Sequence, residues 1–329
     1  MKQQRSNRPK AAKGSHHKVT NWSAYNQALK QRGSFKQRGS FEIWVADEVE
    51  KQWYYSGSSQ RGAQYRYSDS CIQMACIIKE VYHLGYRQTQ GFLESLIARL
   101  GWNVRVPDYS VINRRHQGLH IEVKGRDKEN KYLVIDSTGA KLYGEGEWKV
   151  RQHGWSKHRT WRKIHLAVDE STGVIESCAL TTNSVDDAAM VGTLLDGATG
   201  SIKKVAADGA YDKKKVYQQL DKRKIKPIIP PRRGAKITKH GKCKGRQLPR
   251  DKAIRQIRKW GRKQWKKKTG YHRRSIAESA IFRLKIIFGS KLSSRQMQHQ
   301  QVEVSIRCYA LNKMAELGMP QTSKVKTAA

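Results

Sequence analysis

Acidic side chains are scarce in this sequence. Across 329 residues, 27 Asp and Glu stand against 66 Lys and Arg, for a formal net charge of +39. That imbalance calls for a polyanionic partner, nucleic acid first and a membrane surface second. Long apolar runs are missing. No stretch approaches the roughly 18 apolar residues of a spanning helix, so no transmembrane segment is expected. The first residues lack the apolar core of a signal peptide. Paired cysteines are absent too. The five cysteines (Cys71, Cys76, Cys178, Cys243, Cys308) are scattered and form no CxxC, which disfavours a zinc site and fits a reducing compartment. Hydrophobic residues make up 37%, modest but sufficient for a core.

The positive charge is uneven. Residues 1–40 carry ten Lys and Arg and no acid; residues 231–270 carry seventeen and a single acid, Asp251. Such runs solubilise, but two separate blocks flanking candidate catalytic segments favour contact with a polyanion. Residues 1–20 read as a disordered arm. Lys30-Gln31-Arg32-Gly33-Ser34-Phe35 is repeated at once as Lys36–Phe41. Three helices follow. Ser70 caps a segment to about Leu84. Thr89 caps a second, with Leu93, Leu96, Ile97 and Leu100 at i, i+3, i+4, i+7 and Gly101 as its stop. Asp108 caps a short third ending in Asn113-Arg114-Arg115-His116-Gln117. This hairpin reads either as a helix-turn-helix that presents Asn113, Arg114 and Arg115 to DNA or as plain helix packing.

Lys131–Asp136 is an apolar, β-branched run that ends in an acid, followed by a turn at Ser137-Thr138-Gly139. An Asp closing a buried strand is costly unless it meets a metal or a cation, although a turn cap is the plain alternative. Lys163–Asp169 and Val174–Leu180 read as two further strands of an antiparallel meander. Asp187–Leu195 reads as a helix capped by Asp186. Lys203–Asp208 is a strand that empties into a Gly loop, placing Asp208 where α/β sheets put ligand groups. A helix near Lys213–Lys222 and a strand over Lys226–Pro230 complete the order β-β-β-α-β-α-β. Asp169, Asp186, Asp187 and Asp212 read as turn or cap acids. In the basic block, Trp260 and Trp265 could stack on bases or pack a helix, and Gly261 weakens any long helix there.

Gly270 and Gly289 bracket a stretch that fits one helix of about five turns. Tyr271, Arg274, Glu278 and Lys285 share a narrow stripe on it, with Ile276, Ala280, Leu284 and Ile287 opposite. A rigid carboxylate flanked by a phenol and two cations suits metal and phosphate binding. It also fits a solvated face with an Arg–Glu i,i+4 pair. From Gln301 a last core helix places Val304, Cys308 and Leu311 inward, and 321–329 reads as a frayed tail.

The pattern Tyr271-x2-Arg274-x3-Glu278-x6-Lys285 resembles the C-terminal signature of bacterial insertion-sequence transposases of the DDE type. Val134–Gly139 and Ala207–Asp212 resemble the fifth insertion-sequence family, and the likeness spans about residues 20–320. It implies an α/β fold: a ribonuclease-H-like mixed sheet flanked by helices, preceded by a helical, helix-turn-helix-like DNA-binding region. It implies a basic arm over 1–40, a Trp-containing strand at Phe41–Val45 after a single Arg-Gly-Ser element (the second copy here is a departure), a helical DNA-binding region over 41–125, a catalytic domain over 126–320 with a basic insertion at about 231–270, and a tail over 321–329. By this resemblance Asp136, Asp208 and Glu278 hold two Mg²⁺, for which Mn²⁺ can substitute. Arg274 and Lys285 grip phosphates, and Tyr271 supports the strand end. The implied activity is DNA cleavage at terminal repeats and transfer of the freed 3′-hydroxyl to target DNA. The implied setting is a homodimer on double-stranded DNA in the bacterial cytoplasm, nucleoid-associated and without a membrane. A repressor without catalysis would need only the basic blocks, and a nuclease without strand transfer would share the three acids.

Overall fold

Lys131–Lys141 forms β1, the central strand of a five-stranded mixed sheet. The computed structural model describes residues 17–24, 48–58, 62, 65–125, 127–142, 161–238, 248–318 and 322–324. The tandem repeat over 30–41, the strand expected at 41–45, residues 145–160 and most of 321–329 lie outside them. β2 (Trp161–Asp169) and β3 (Ile175–Thr182) follow as an antiparallel meander. β4 (Ile202–Ala206) and β5 (Lys226–Ile228) join on the other side, both parallel to the preceding strand. The sheet order β3-β2-β1-β4-β5 is the ribonuclease-H-like arrangement. The turn expected at Ser137–Gly139 does not exist. Those residues pair with His165, Ile164 and Lys163, so β1 runs straight past Asp136.

One face of the sheet buries Leu133, Ile135, Val205 and Ala207 against Val191, Leu194, Leu195, Val216 and Leu220. The latter come from α4 (Val191–Asp196) and α5 (Lys214–Lys222). Asp186 caps the element before α4 as expected, accepting from the Ala188 N–H, but its first turn, Asp187–Met190, is 3₁₀. Across β1 and β2 lies α7 (Ser275–Phe288). The expected five-turn helix is split: Gly270, at φ 73°, ends the preceding helix, and Tyr271–Arg274 is a 3₁₀ turn before α7 begins. A 3₁₀ turn rotates more per residue than an α-helix. That shifts Tyr271 relative to the α-helical stripe; within α7 itself the buried residues are Ala277, Ala280, Leu284 and Phe288, with Ile276 and Ile287 only half-buried.

Three helices precede the sheet: α1 (Asp69–Val81), α2 (Tyr86–Leu100) and α3 (Tyr109–His116). Ser68, not Ser70, caps α1, and α2 starts at Tyr86, which leaves Thr89 buried inside it and bonded to the Gly85 carbonyl. Asp108 caps α3 as expected, and Gly101 ends α2 in the left-handed conformation. α6 (Pro249–Thr269) occupies the basic block, broken at Gly261 (φ 77°, ψ 155°), and α8 (Met297–Glu316) buries Val304, Cys308 and Leu311. Residues 44–315 form one compact unit; 1–43 with 316–329 form another. Within the second unit His17–Val19 pairs antiparallel with Thr322–Lys324, so both the arm and the tail contain ordered strand where none was expected.

A buried ionic network joins α1 to α8. Lys79 donates to Glu80 at 2.6 Å, Arg307 Nε donates to the other Glu80 oxygen at 2.8 Å, and Arg307 also pairs with Glu303. Glu303 accepts the Ser293 and Ser294 N–H groups at 2.7 and 2.9 Å. Burial alone would raise the Glu80 carboxyl, but Arg307 and Lys79 hold it below the usual range. Arg307→Met leaves buried Glu303 without its cation and Glu80 with Lys79 alone, and is expected to cost about 3–5 kcal/mol in a urea denaturation series. Glu80 has a depressed folded pKa, so its contribution is present above about pH 4.3 and is lost as pH falls through its lower folded value. The wild-type midpoint in urea should therefore drop on that acid limb, and the drop should be absent in Glu80→Gln.

Candidate active site

The register of β1 against β4 brings two acids together. Val134 pairs with Ala206 in a parallel ladder. Two residues further along stand Asp136, still within β1, and Asp208, just past the end of β4, on the same side of the sheet. Asp136 lies within β1; Asp208 stands two residues past the end of β4 and caps the 3₁₀ turn Gly209–Tyr211 by accepting the Ala210 N–H at 2.8 Å.

Glu278 comes from the first turn of α7, and Arg274 links it to the sheet. Arg274 Nη1 donates to Asp136 Oδ2 at 2.8 Å, and Nη2 pairs with Glu278 one helical turn away. The guanidinium side chain is 19% exposed, Asp136 16% and Glu278 55%. The site is thus closed around Asp136 and open at Glu278. Asp136 Oδ1 also accepts the Ser137 N–H at 2.9 Å. Burial raises the Asp136 carboxyl above its ordinary range, and the charges of Asp208 and Glu278 add to that; the Ser137 N–H and Arg274 oppose it incompletely. Burial acts against the Arg274 charge, yet Tyr271, Asp136, Glu278 and Asp208 around it raise its pKa.

Tyr271 belongs to the same cluster. Its ring is buried against Trp265, with centroids 6.1 Å apart. Burial raises its phenol, which also feels Arg274, Asp208, Asp136 and Glu278. Trp265 therefore packs, as one of its two readings had it, whereas Trp260 is half-exposed with the Lys268 ammonium 4.2 Å above its ring. Lys285 is half-buried two turns along α7 from Glu278, about 10 Å of rise. Among the described residues no three His, Cys, Asp or Glu side chains stand gathered for a metal ion. The Arg274 guanidinium occupies the space between Asp136 and Glu278 instead.

The helical region treats its three candidates differently. Asn113 and Arg114 are exposed on α3. Arg115 is drawn inward: it donates to the Tyr67 carbonyl at 2.9 Å, pairs with Asp69 and lies 3.8 Å over the Tyr65 ring. The other acids act locally. Asp169 accepts the Ser171 N–H and hydroxyl, Asp186 pairs with Lys213, and Asp187 pairs with Lys163. Asp212 does more than cap a turn. It is almost buried and accepts from Arg250, Arg232 and Tyr217. Burial would raise it, but the Arg250 hydrogen bond and its other donors hold it below the carboxylate range. Its place in Ala207–Asp212 was visible in the sequence; its partner Arg250, one of seventeen basic residues in its block, was not.

Asp136 within β1, Asp208 just past β4 and Glu278 on a late helix, with cations beside them, thus group three carboxylates on a ribonuclease-H-like sheet. The comparisons agree. Two profiles, each described as "Transposase DDE domain", match residues 36–145 and 127–313. The chain belongs to the DDE transposase family, whose members are metal-dependent enzymes that cleave DNA. Among solved structures it is similar to that described as "Cryo-EM structure of piggyBac transposase synaptic complex with hairpin DNA (SNHP)". The identity is 12% and the TM-score 0.36, over 91% of this chain and 76% of that one.

Removing the guanidinium tests the electrostatics directly. In Arg274→Gln, Asp136 keeps its burial and its two acidic neighbours but loses the nearest cation. Its pKa, followed by carboxyl-carbon NMR without metal, should move further up; an unchanged or lower value would mean that the Arg274–Asp136 pair has no energetic weight.

Proposed function

We propose that this transposase binds the terminal inverted repeats of its own element, cleaves there, and transfers the freed 3′-hydroxyl to target DNA in the same site. The observation that carries the reading is the juxtaposition of Asp136 and Asp208 by the β1–β4 register, with Glu278 joined to them through Arg274. Asp136, Asp208 and Glu278 would hold two Mg²⁺ or, in substitution, Mn²⁺. The donor set fits, because it is all hard carboxylate oxygen. Its electrostatics are compatible: burial, with a smaller push from Asp208 and Glu278, raises the Asp136 carboxyl, and a divalent cation would favour its ionised form. When bound, two divalent ions supply activation of the attacking oxygen and stabilisation of the leaving one.

The protein groups have distinct tasks. Arg274 neutralises Asp136 and Glu278 in the resting site and competes with a divalent cation for both. Once released from either, its planar fork matches a DNA phosphate bidentately. Lys285 extends the same face of α7 by two turns and meets the next phosphates. Tyr271, fixed by Trp265, supports the strand end beside the acids. Asn113 and Arg114 project from α3 towards DNA, while Arg115 braces that helix from within. The basic arm over 1–40, the helical region over 41–125 and the basic block over 231–270 divide the DNA contacts, and 126–320 carries the chemistry. Two element ends imply a homodimer on the DNA, in the bacterial cytoplasm and associated with the nucleoid.

The deciding experiment mixes the full chain with Mg²⁺, labelled DNA carrying the element's terminal repeats, and a target plasmid, beside Glu278→Gln. Cleavage and joined product are expected, and both should vanish in the variant. Cutting without joining would identify a nuclease, and binding without either product a repressor. The pH profile adds a second check. Asp136 must be ionised to hold a cation, and its pKa is raised, so cleavage should fall on the acid side as pH drops through that raised value. A rate that is flat down to the ordinary Asp range would contradict this.

A further inference from the structure

Four hydrogen bonds converge on Asp212, a residue that the chemistry above does not use. Arg250 Nε and Nη2 donate to its two oxygens at 2.7 and 3.1 Å, in a fork. The Arg232 N–H donates at 3.0 Å and the Tyr217 hydroxyl at 3.1 Å. Asp212 closes the short loop that Asp208 opens, and the 3₁₀ turn Gly209–Tyr211 lies between them. Arg250 is the second residue of α6, whose N-terminus has no side-chain cap. The same loop is gripped a second time, since the Arg232 side chain donates to the Gly209 and Ala210 carbonyls at 3.4 Å. Arg250 Nη1 reaches the Lys236 carbonyl at 3.1 Å, and Arg262 donates to the Pro231 carbonyl at 2.8 Å. The basic block is thereby fastened to the Asp208 loop at both its start and its helix.

We infer that Asp212 is a positioning residue: it locks the basic helix α6 to the loop carrying Asp208, so that DNA held by α6 is presented to the acids. The inference rests on the proposed DNA-cleaving site. α6 exposes Arg258, Lys259, Lys263, Lys266 and Lys267. A row of cations binds a phosphate backbone wherever it happens to lie and carries no register of its own. Register comes from what fixes the row. The buried Asp212–Arg250 fork is two parallel charge-assisted bonds, which a lysine cannot reproduce. Asp251 helps at the next residue by accepting the Thr238 N–H at 2.9 Å, and so ties the start of α6 to the segment leading into it.

Charge and positioning predict opposite signs, and that separates them. Asp212→Asn removes an acid from a basic protein. If only net charge mattered, duplex DNA would bind more tightly. Positioning predicts weaker binding, by about tenfold, the scale of one lost charge-assisted hydrogen bond. The probe is a labelled duplex carrying the terminal repeats, followed by anisotropy with the full chain and no metal. Arg250→Lys keeps the charge and should show the same loss, and the double variant should be little worse than either single one. Mn²⁺ binding, read by electron paramagnetic resonance, should hold in both singles. On cleavable DNA, KM should rise while kcat holds.

Tighter or unchanged duplex binding in Asp212→Asn would overturn the inference. So would a loss of Mn²⁺ binding equal to that of Asp208→Asn, because Asp212 would then be a metal ligand. If Asp208→Asn itself leaves Mn²⁺ binding intact, the metal assignment fails, while the anisotropy still decides the role of Asp212. Should Asp212→Asn not fold, as judged by circular dichroism, Arg250→Lys carries the same test.

Discussion

One guanidinium, that of Arg274, lies between two carboxylates from opposite ends of the catalytic region, Asp136 on β1 and Glu278 on α7. The site depends on this sharing. Without a cation between them, two acids and the nearby Asp208 would repel one another in a partly buried place. Burial still raises the Asp136 carboxyl, and Arg274 and the Ser137 N–H offset that only in part. The same side chain connects fold to function, because it tethers the helix that brings Glu278 to the strand that carries Asp136.

Few acids serve this chain, and the structure places several of them in buried or half-buried pairs rather than on the surface. Glu80 and Glu303 hold Arg307 and Lys79 where α1 meets α8. Glu176 near the start of β3 holds Lys131 at the start of β1 at 2.6 Å, with both side chains almost fully buried. Asp212 holds Arg250 at the start of α6. The Arg307–Glu80, Lys131–Glu176 and Arg250–Asp212 pairs each join elements distant in sequence, and breaking one strands a buried charge at a cost of several kcal/mol. The surplus of Lys and Arg is left for the exposed faces, α6 above all. A protein that must bind a polyanion without repelling itself apart gains from this division. Its acids act as internal fasteners, and its unpaired bases face outward.

The sheet explains why the acids meet. β1 does not turn after Asp136 but pairs with β2 to Lys141, so the acid lies within a long, rigid strand. β4 ends at Ala206 and releases Asp208 into a turn beside it. One acid is rigid and the other sits at the start of a fastened loop. The third stands on a helix whose outer face remains open. This gradation, from closed to exposed, leaves an approach for a long substrate from the α7 side.

Much of this was legible in the residues. The β-branched run before Asp136, the alternation in 163–180, the Gly loop after Asp208 and the Tyr-Arg-Glu-Lys spacing each identified an element, because local propensity and periodicity act over a few residues. Boundaries were less legible. The Ser-Thr-Gly after Asp136 looks like a turn but is held in the ladder by pairing with β2, and tertiary pairing overrides local preference. The stripe through Tyr271 assumed one helix, whereas Gly270 in the left-handed conformation inserts a 3₁₀ turn. The sequence alone determined the fold class, the basic character and the candidate acids. Only the tertiary structure decided which cation serves which acid: Arg274 for Asp136, Arg307 for Glu80, Arg250 for Asp212. With 66 Lys and Arg to choose from, composition cannot select a partner. Ion pairing falls off over a few ångströms, and only the folded chain sets those distances.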